Sequence, residues 1–110
     1  PLMILDTSSA IRRVRENEEI TGNLTILTLI EFPPITAYGK FRGKIYLIRE
    51  EDQIKAIELQ ERLRKIGKPM SATDLLIASM CINRNEELLT LDRDFLVIRE
   101  VEPLFRVLID

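Results

Sequence analysis

The chain predicts an α/β domain: a parallel sheet of four to five strands flanked by helices. Three observations carry that prediction. Short continuous apolar runs, at residues 2–5, 45–48 and 88–91, alternate with longer segments whose apolar residues recur at helical spacing. The runs show little polar alternation, as expected of strands covered by helices on both faces. Cap and turn residues punctuate the series: Thr7-Ser8-Ser9, Thr21-Gly22-Asn23, Gly67 with Pro69, and Ser71.

Taken in order, residues 2–5 form a central buried strand. Any of Thr7, Ser8 and Ser9 caps the next helix, whose inner face is Ala10, Ile11 and Val14, with Arg12, Arg13 and Arg15 outside. After the turn at Gly22, residues 24–27 read as a second strand. Thr28 begins a helix carrying Glu31, with an irregular start imposed by Pro33-Pro34. The third strand is Ile45-Tyr46-Leu47-Ile48. The third helix starts near Asp52, carries the stripe Ala56, Leu59, Leu63 and Ile66, and closes at Gly67 ahead of Pro69. Ser71-Ala72-Thr73-Asp74 has the form of a capping box, so Asp74 falls in the first turn of a fourth helix. That helix is apolar nearly all round, which implies burial on more than one side or a face turned to a second subunit. It ends at Asn85. Residues 88–91 form the fourth strand, and the apolar segment 104–109 supplies a fifth.

Composition narrows the chemistry. The 110 residues make a single domain, residues 1–110, large enough for a real core. A net charge of −2 does not announce nucleic-acid binding by charge alone. One cysteine, Cys81, excludes an internal disulfide and a multi-cysteine zinc site. The absence of histidine removes Ser-His and Cys-His nucleophiles and the commonest transition-metal ligand. No apolar run approaches membrane-spanning length and no basic leader precedes the first strand, so the expected location is cytoplasmic, with no membrane partner.

Four acids stand against apolar sequence: Asp6 and Asp92 directly after strand runs, Glu31 between Leu29-Ile30 and Phe32, and Asp74 ahead of Leu75-Leu76-Ile77-Ala78. Singly, three have plain structural explanations: Asp6 as a helix cap, Asp74 in a capping box, Asp92 with Asp94 as a turn. Glu31 has none. Carboxylates near a core are costly unless paired, and open parallel sheets gather ligands beyond the carboxyl ends of their strands. The topology permits all four acids to meet on that edge, where pooled negative charge without histidine calls for a hard cation.

The blocks Ile4-Leu5-Asp6-Thr7-Ser8, Thr28-Leu29-Ile30-Glu31-Phe32, Gly67-Lys68-Pro69, Ala72-Thr73-Asp74-Leu75-Leu76-Ile77-Ala78 and Leu89-Thr90-Leu91-Asp92-Arg93-Asp94-Phe95, in that order, resemble the PIN domain. This is a family of metal-dependent ribonucleases that includes the VapC-type toxins of toxin–antitoxin pairs. The resemblance spans nearly the whole chain. It implies that Asp6, Glu31, Asp74 and Asp92 are catalytic and metal-site positions. Asp94 matches a further acidic metal-site position, and Thr7, Ser8 and Thr90 match supporting hydroxyls. It also implies Mg²⁺ or Mn²⁺ as cofactor, single-stranded or looped RNA as substrate, a small antitoxin protein as partner, and a homodimer. The intervals from Asp6 to Glu31 and from Glu31 to Asp74 are short for the family, which implies a trimmed helix between strands one and two. Arg12, Lys40 and Arg42, closest in sequence to the acidic blocks, are the candidate substrate-binding cations, whereas Arg62, Arg64, Lys65 and Lys68 read as a solvated face. Two other classes compete. One is a non-catalytic PIN-like interaction module that retains the acidic pocket. The other is an acidic-pocket phosphoacceptor receiver domain, which needs paired acids after the first strand and an Asp after the third; Asp6-Thr7 and Ile48-Arg49 stand there instead.

Overall fold

The computed structural model describes residues 2–110. Five strands appear: β1 (Met3–Leu5), β2 (Leu24–Thr25), β3 (Ile45–Tyr46), β4 (Glu87–Thr90) and β5 (Val107–Ile109). β4 pairs in parallel with β1 and β5, and β2 pairs in parallel with β3. The two groups join at a parallel bridge between Ile4 and Asn23. There the Leu5 N–H donates to the Asn23 carbonyl at 2.9 Å and the Asn23 N–H to the Met3 carbonyl at 2.8 Å. The strand order is therefore β3-β2-β1-β4-β5, and its parallel pairing is the α/β sheet that the sequence predicts. The order of winding reverses between β1 and β4. A receiver domain has the order 2-1-3-4-5, so topology sets that reading aside.

Helices α1 (Thr7–Arg15), α2 (Ile26–Glu31), α3 (Glu50–Lys65) and α4 (Ala72–Arg84) connect the strands, with 3-10 segments at Pro33–Ala37 and Arg93–Glu100. Several boundaries differ from expectation. The second strand stops at Thr25, whose extended backbone opens α2 at Ile26, so Glu31 ends that helix instead of lying in its first turn. Pro33 and Pro34 open the 3-10 segment, where a fixed φ and a missing N–H cost little. β3 ends at Tyr46, and the Leu47 carbonyl just beyond it is bound by Arg84 Nη2 at 3.1 Å. α3 begins at Glu50, because the Asp52 carboxylate accepts the Arg49 N–H at 2.8 Å and so sits in the first turn. Ile66 lies past the end of α3 and is exposed. The 3-10 segment at Arg93–Glu100 carried no advance signal. The fifth strand begins only at Val107, with Leu104 out in solvent.

The all-round apolar character of α4 is explained by its position. It packs on α3 through Leu59 and Leu63 and on the sheet through Ile4 and Leu88, with Phe95, Ile98 and Phe105 completing that core. A second cluster, Leu5, Ala10, Ile20, Leu24, Ile35 and Leu89, fills the opposite side of the sheet. Asn85 closes α4 with a left-handed backbone, φ 54°. One ion pair is fully inside: Arg84 Nη1 lies 2.9 Å from Asp52 Oδ1. Burial alone would lift the Asp52 carboxyl, but Arg84, the Arg49 N–H and Asn83 together hold it below its ordinary range. At the start of the sheet, the Gly22 and Gly43 backbones touch: a Cβ on Gly43 would lie 1.9 Å from the Gly22 carbonyl oxygen. Among the described residues, no helix is long and apolar enough to cross a membrane.

Candidate functional site

The site is built at the point where the winding reverses. β1 ends at Leu5, and Asp6 follows at the N-cap position of α1. Its side chain makes no cap bond to the helix. Instead its Oδ2 accepts the Thr90 hydroxyl at 2.9 Å and the Ser8 hydroxyl at 3.0 Å. The plain cap explanation for Asp6 therefore fails. Asp6 is also buried, and that burial pushes its carboxyl above the ordinary range; the two hydroxyls oppose the shift and the Glu31 charge adds to it.

Glu31 enters from the last turn of α2, where its Oε1 accepts the Thr7 hydroxyl at 2.7 Å. Thr7 Oγ1 also lies 2.9 Å from the Thr28 hydroxyl. Asp92 follows β4. Its N–H donates to Thr90 Oγ1 at 2.9 Å, and its own Oδ1 accepts the Asp94 N–H at 2.9 Å. The turn explanation thus holds for one oxygen of Asp92 and leaves the other uncommitted by that bond. Asp74 stands in the first turn of α4, where Ser71 Oγ accepts the Asp74 N–H at 3.2 Å. Burial is the main cause that raises the Asp74 carboxyl. The negative charges of Asp6, Asp92 and Glu31 raise it further, against the Ser71 hydroxyl. Four elements thus bring the four predicted acids into one field. Thr7 ties down Glu31, and Ser8 and Thr90 tie down Asp6, with Thr90 also bound by the Asp92 N–H.

The donors are all oxygen, the choice of Mg²⁺ and Mn²⁺. Among the described residues, no three acidic or cysteine side chains stand close enough to enclose an ion by themselves. The arrangement fits a hard ion that takes one or two carboxylates directly and reaches the others through water, which is how Mg²⁺ is commonly bound. Asp94, exposed beside Asp92, stands at the rim.

The predicted substrate cations are not brought to the acids. Arg12 Nη2 is held by Asp110 at 3.1 Å and its Nη1 by Glu16 at 2.9 Å. Lys40 Nζ donates to the Asn17 carbonyl at 2.9 Å. Arg42 Nη1 donates to the Gly39 carbonyl at 2.7 Å, and Arg42 lines a hollow at the strand-start edge with Leu2 and Lys44. For Lys40 and Arg42 closeness in sequence misled, because the chain between Glu31 and β3 returns to the opposite edge of the sheet; Arg12 stays on α1, engaged by Asp110 and Glu16. The cation that does border the acidic site is Lys68, which shares a cleft with Asp74 and Asp94. The block Gly67-Lys68-Pro69 was the signal that could have found it.

No protein-family model matches the chain, and no curated protein is similar enough to match. Solved structures are similar. A chain of DNA-bound VapBC from Salmonella typhimurium superposes with a TM-score of 0.71 at 17% identity, covering 97% of this chain and 96% of that one. For VapBC-1 from nontypeable Haemophilus influenzae the TM-score is 0.72 at 17% identity, with 96% of each chain covered. For VapBC-5 from Mycobacterium tuberculosis, described as a member of the VapBC family of toxin–antitoxin systems, it is 0.69 at 19% identity, with 99% and 98% covered. At such identities the likeness establishes the fold: the chain has the α/β fold of these VapBC chains, the PIN-like architecture that its ordered sequence blocks resemble.

Proposed function

We propose that the protein is a metal-dependent endoribonuclease that hydrolyses RNA phosphodiester bonds and serves as the toxin of a type II toxin–antitoxin pair. The observation that carries this reading is that Asp6, Glu31, Asp74 and Asp92 stand beyond the strand ends near enough to feel one another's charge, with burial first and that repulsion second lifting Asp6 and Asp74. A bound cation would offset that repulsion. The toxin assignment is supported by full-length likeness to chains of VapBC structures. On this reading Asp6 and Asp92 hold Mg²⁺ or Mn²⁺, with Asp74, Glu31 and Asp94 reaching it through water. The ion, when bound, makes its water acidic enough to attack and offsets charge on the phosphoryl oxygens. Ser8 and Thr90 fix the direction of the Asp6 carboxylate. Thr7 fixes Glu31; Glu31 and Asp74 would orient the attacking water, and one of the two would take its proton as the water oxygen bonds phosphorus and the ester oxygen leaves. The partners are RNA, a small antitoxin and a second copy of the chain; α3 and the sheet cover most of α4, while its Ala72, Leu75 and Leu76 line an open apolar hollow with Ile57. The expected location is the cytoplasm.

Labelled RNA incubated with antitoxin-free protein tests the reading. Cleavage is expected with Mn²⁺ or Mg²⁺, to stop with chelator, and to fall at least a hundredfold in Asp6→Asn and Asp92→Asn. Cleavage that survives chelator or either substitution overturns it. Metal binding without cleavage favours the non-catalytic module.

A further inference from the structure

Beside the acidic site lies a cleft of about 280 Å³, lined by Lys68, Pro69, Met70, Ser71, Asp74 and Asp94, with Val97 on the far wall. The carboxylates of Asp74 and Asp94 make it continuous with the catalytic edge. It carries one lining cation, Lys68, and Met70 and Val97 give it an apolar wall packed against the core. The wall is built rigidly. The Gln60 amide clamps residue 70 from both sides, donating to the Met70 carbonyl at 2.7 Å and accepting the Met70 N–H at 3.1 Å. Gly67, at φ +72°, turns the chain there, and the Lys68 N–H closes back on the Leu63 carbonyl at 2.9 Å. Among the described residues Lys68 Nζ is held only by Glu100, at 3.0 Å, and both side chains are about half exposed. A surface pair of that kind is weak and exchanges readily for a phosphate.

We propose that this cleft is the subsite for the nucleotide next to the scissile bond of single-stranded RNA, with its phosphate on Lys68 and its base against Met70 and Val97. The inference rests on the nuclease reading and deepens it. The volume is of the order that one nucleotide fills. The charge pattern suits a strand whose scissile phosphate lies at the acids and whose neighbouring phosphate lies one step away, at the lysine. Lys68 binds; it does not take part in bond cleavage.

Steady-state cleavage of a short single-stranded oligoribonucleotide, at several salt concentrations, tests the proposal with Lys68→Gln and Lys68→Arg. Loss of one charge-assisted phosphate contact is expected to raise KM roughly tenfold in Lys68→Gln. The expected kcat stays within about twofold, and the slope of log KM against log salt becomes shallower by about 0.7, as for one phosphate contact on a single strand. Lys68→Arg is expected to recover most of the KM. Unchanged KM and salt slope in Lys68→Gln, with the unsubstituted protein cleaving normally, overturn the subsite and leave the nuclease reading standing. A fall in kcat with KM unchanged also overturns it, because Lys68 would then act on the reacting phosphate. No metal-dependent cleavage by the unsubstituted protein overturns both readings.

Discussion

The same carboxyl can be an asset or a liability to a fold, and this chain carries both kinds. Asp6 and Asp74 have folded-state pKa values raised above the ordinary carboxylate value, chiefly by burial. Through the window between the ordinary and the raised value, the folded chain holds more protons than the unfolded one. Stability therefore falls as pH rises through that window and stays lower above it. Asp6→Asn removes one such charge and keeps an oxygen for Thr90. It is expected to raise the metal-free Tm by several degrees, about 1 kcal/mol, while abolishing cleavage. Calorimetry beside the RNA assay reads both. Asp110 runs the other way. Arg13, and then Arg12, hold its carboxyl down at about 2. Its contribution is full above the ordinary carboxylate value and is lost as pH falls toward 2. Asp110→Asn is expected to cost on the order of 1 kcal/mol at pH 7, discounted for the partial exposure of both arginines. Urea unfolding should show the deficit at pH 7 and little of it near pH 2.

At the scale of elements, two packing contacts decide whether the site is held in place. The hairpin of α3 and α4, which carries Asp74, is pinned by the buried pair of Asp52 and Arg84. Removing one partner leaves a buried charge, and Arg84→Met alone is expected to cost about 3–5 kcal/mol, whereas Arg84→Met with Asp52→Leu recovers most of it. Denaturant midpoints of the two variants check this; equal loss in both would sink it. Gly43→Ala is expected to destabilise as well, because its new Cβ meets the Gly22 backbone, which has no side-chain torsion with which to yield. These contacts also mark where sequence reading stops. Asp6, Asp74 and Asp92 were legible because strand ends and capping signals are local. So were the ends of α3 at Gly67 and α4 at Asn85. The end of β3 was not, since it coincides with Arg84, 37 residues on in the chain, binding the Leu47 carbonyl. Glu31 was found by its apolar neighbours, but its place in the helix was misjudged, because Thr25 opens α2 earlier than the hydroxyl of Thr28 suggested. The placements of Lys40 and Arg42 were missed for the same reason: sequence distance does not tell which edge of a sheet a loop returns to. Arg12 was missed because its partner Asp110 is 98 residues away in the chain.

For the molecule as a whole, the strand order concentrates charge at one point. Winding from β1 toward β3 and then from β4 toward β5 leaves a gap above β1 and β4, and both adjacent strand ends carry an acid, Asp6 and Asp92. The fold thus stores repulsion at its centre, while the net charge of the chain is only −2. A ligand that binds only the folded cluster must then stabilise the entire domain by mass action. At about a hundred times its dissociation constant, Mg²⁺ or Mn²⁺ is expected to add about 2.7 kcal/mol, or roughly ten degrees in Tm for a domain of this size. Sodium chloride at matched ionic strength should give much less, because screening acts weakly on partly buried charges. In Asp6→Asn and Asp92→Asn the divalent shift should shrink to the sodium chloride value even though both proteins stay folded. A divalent shift of the same size in those variants would mean that the ion binds elsewhere on the surface and that the acids at the switch point do not gather it.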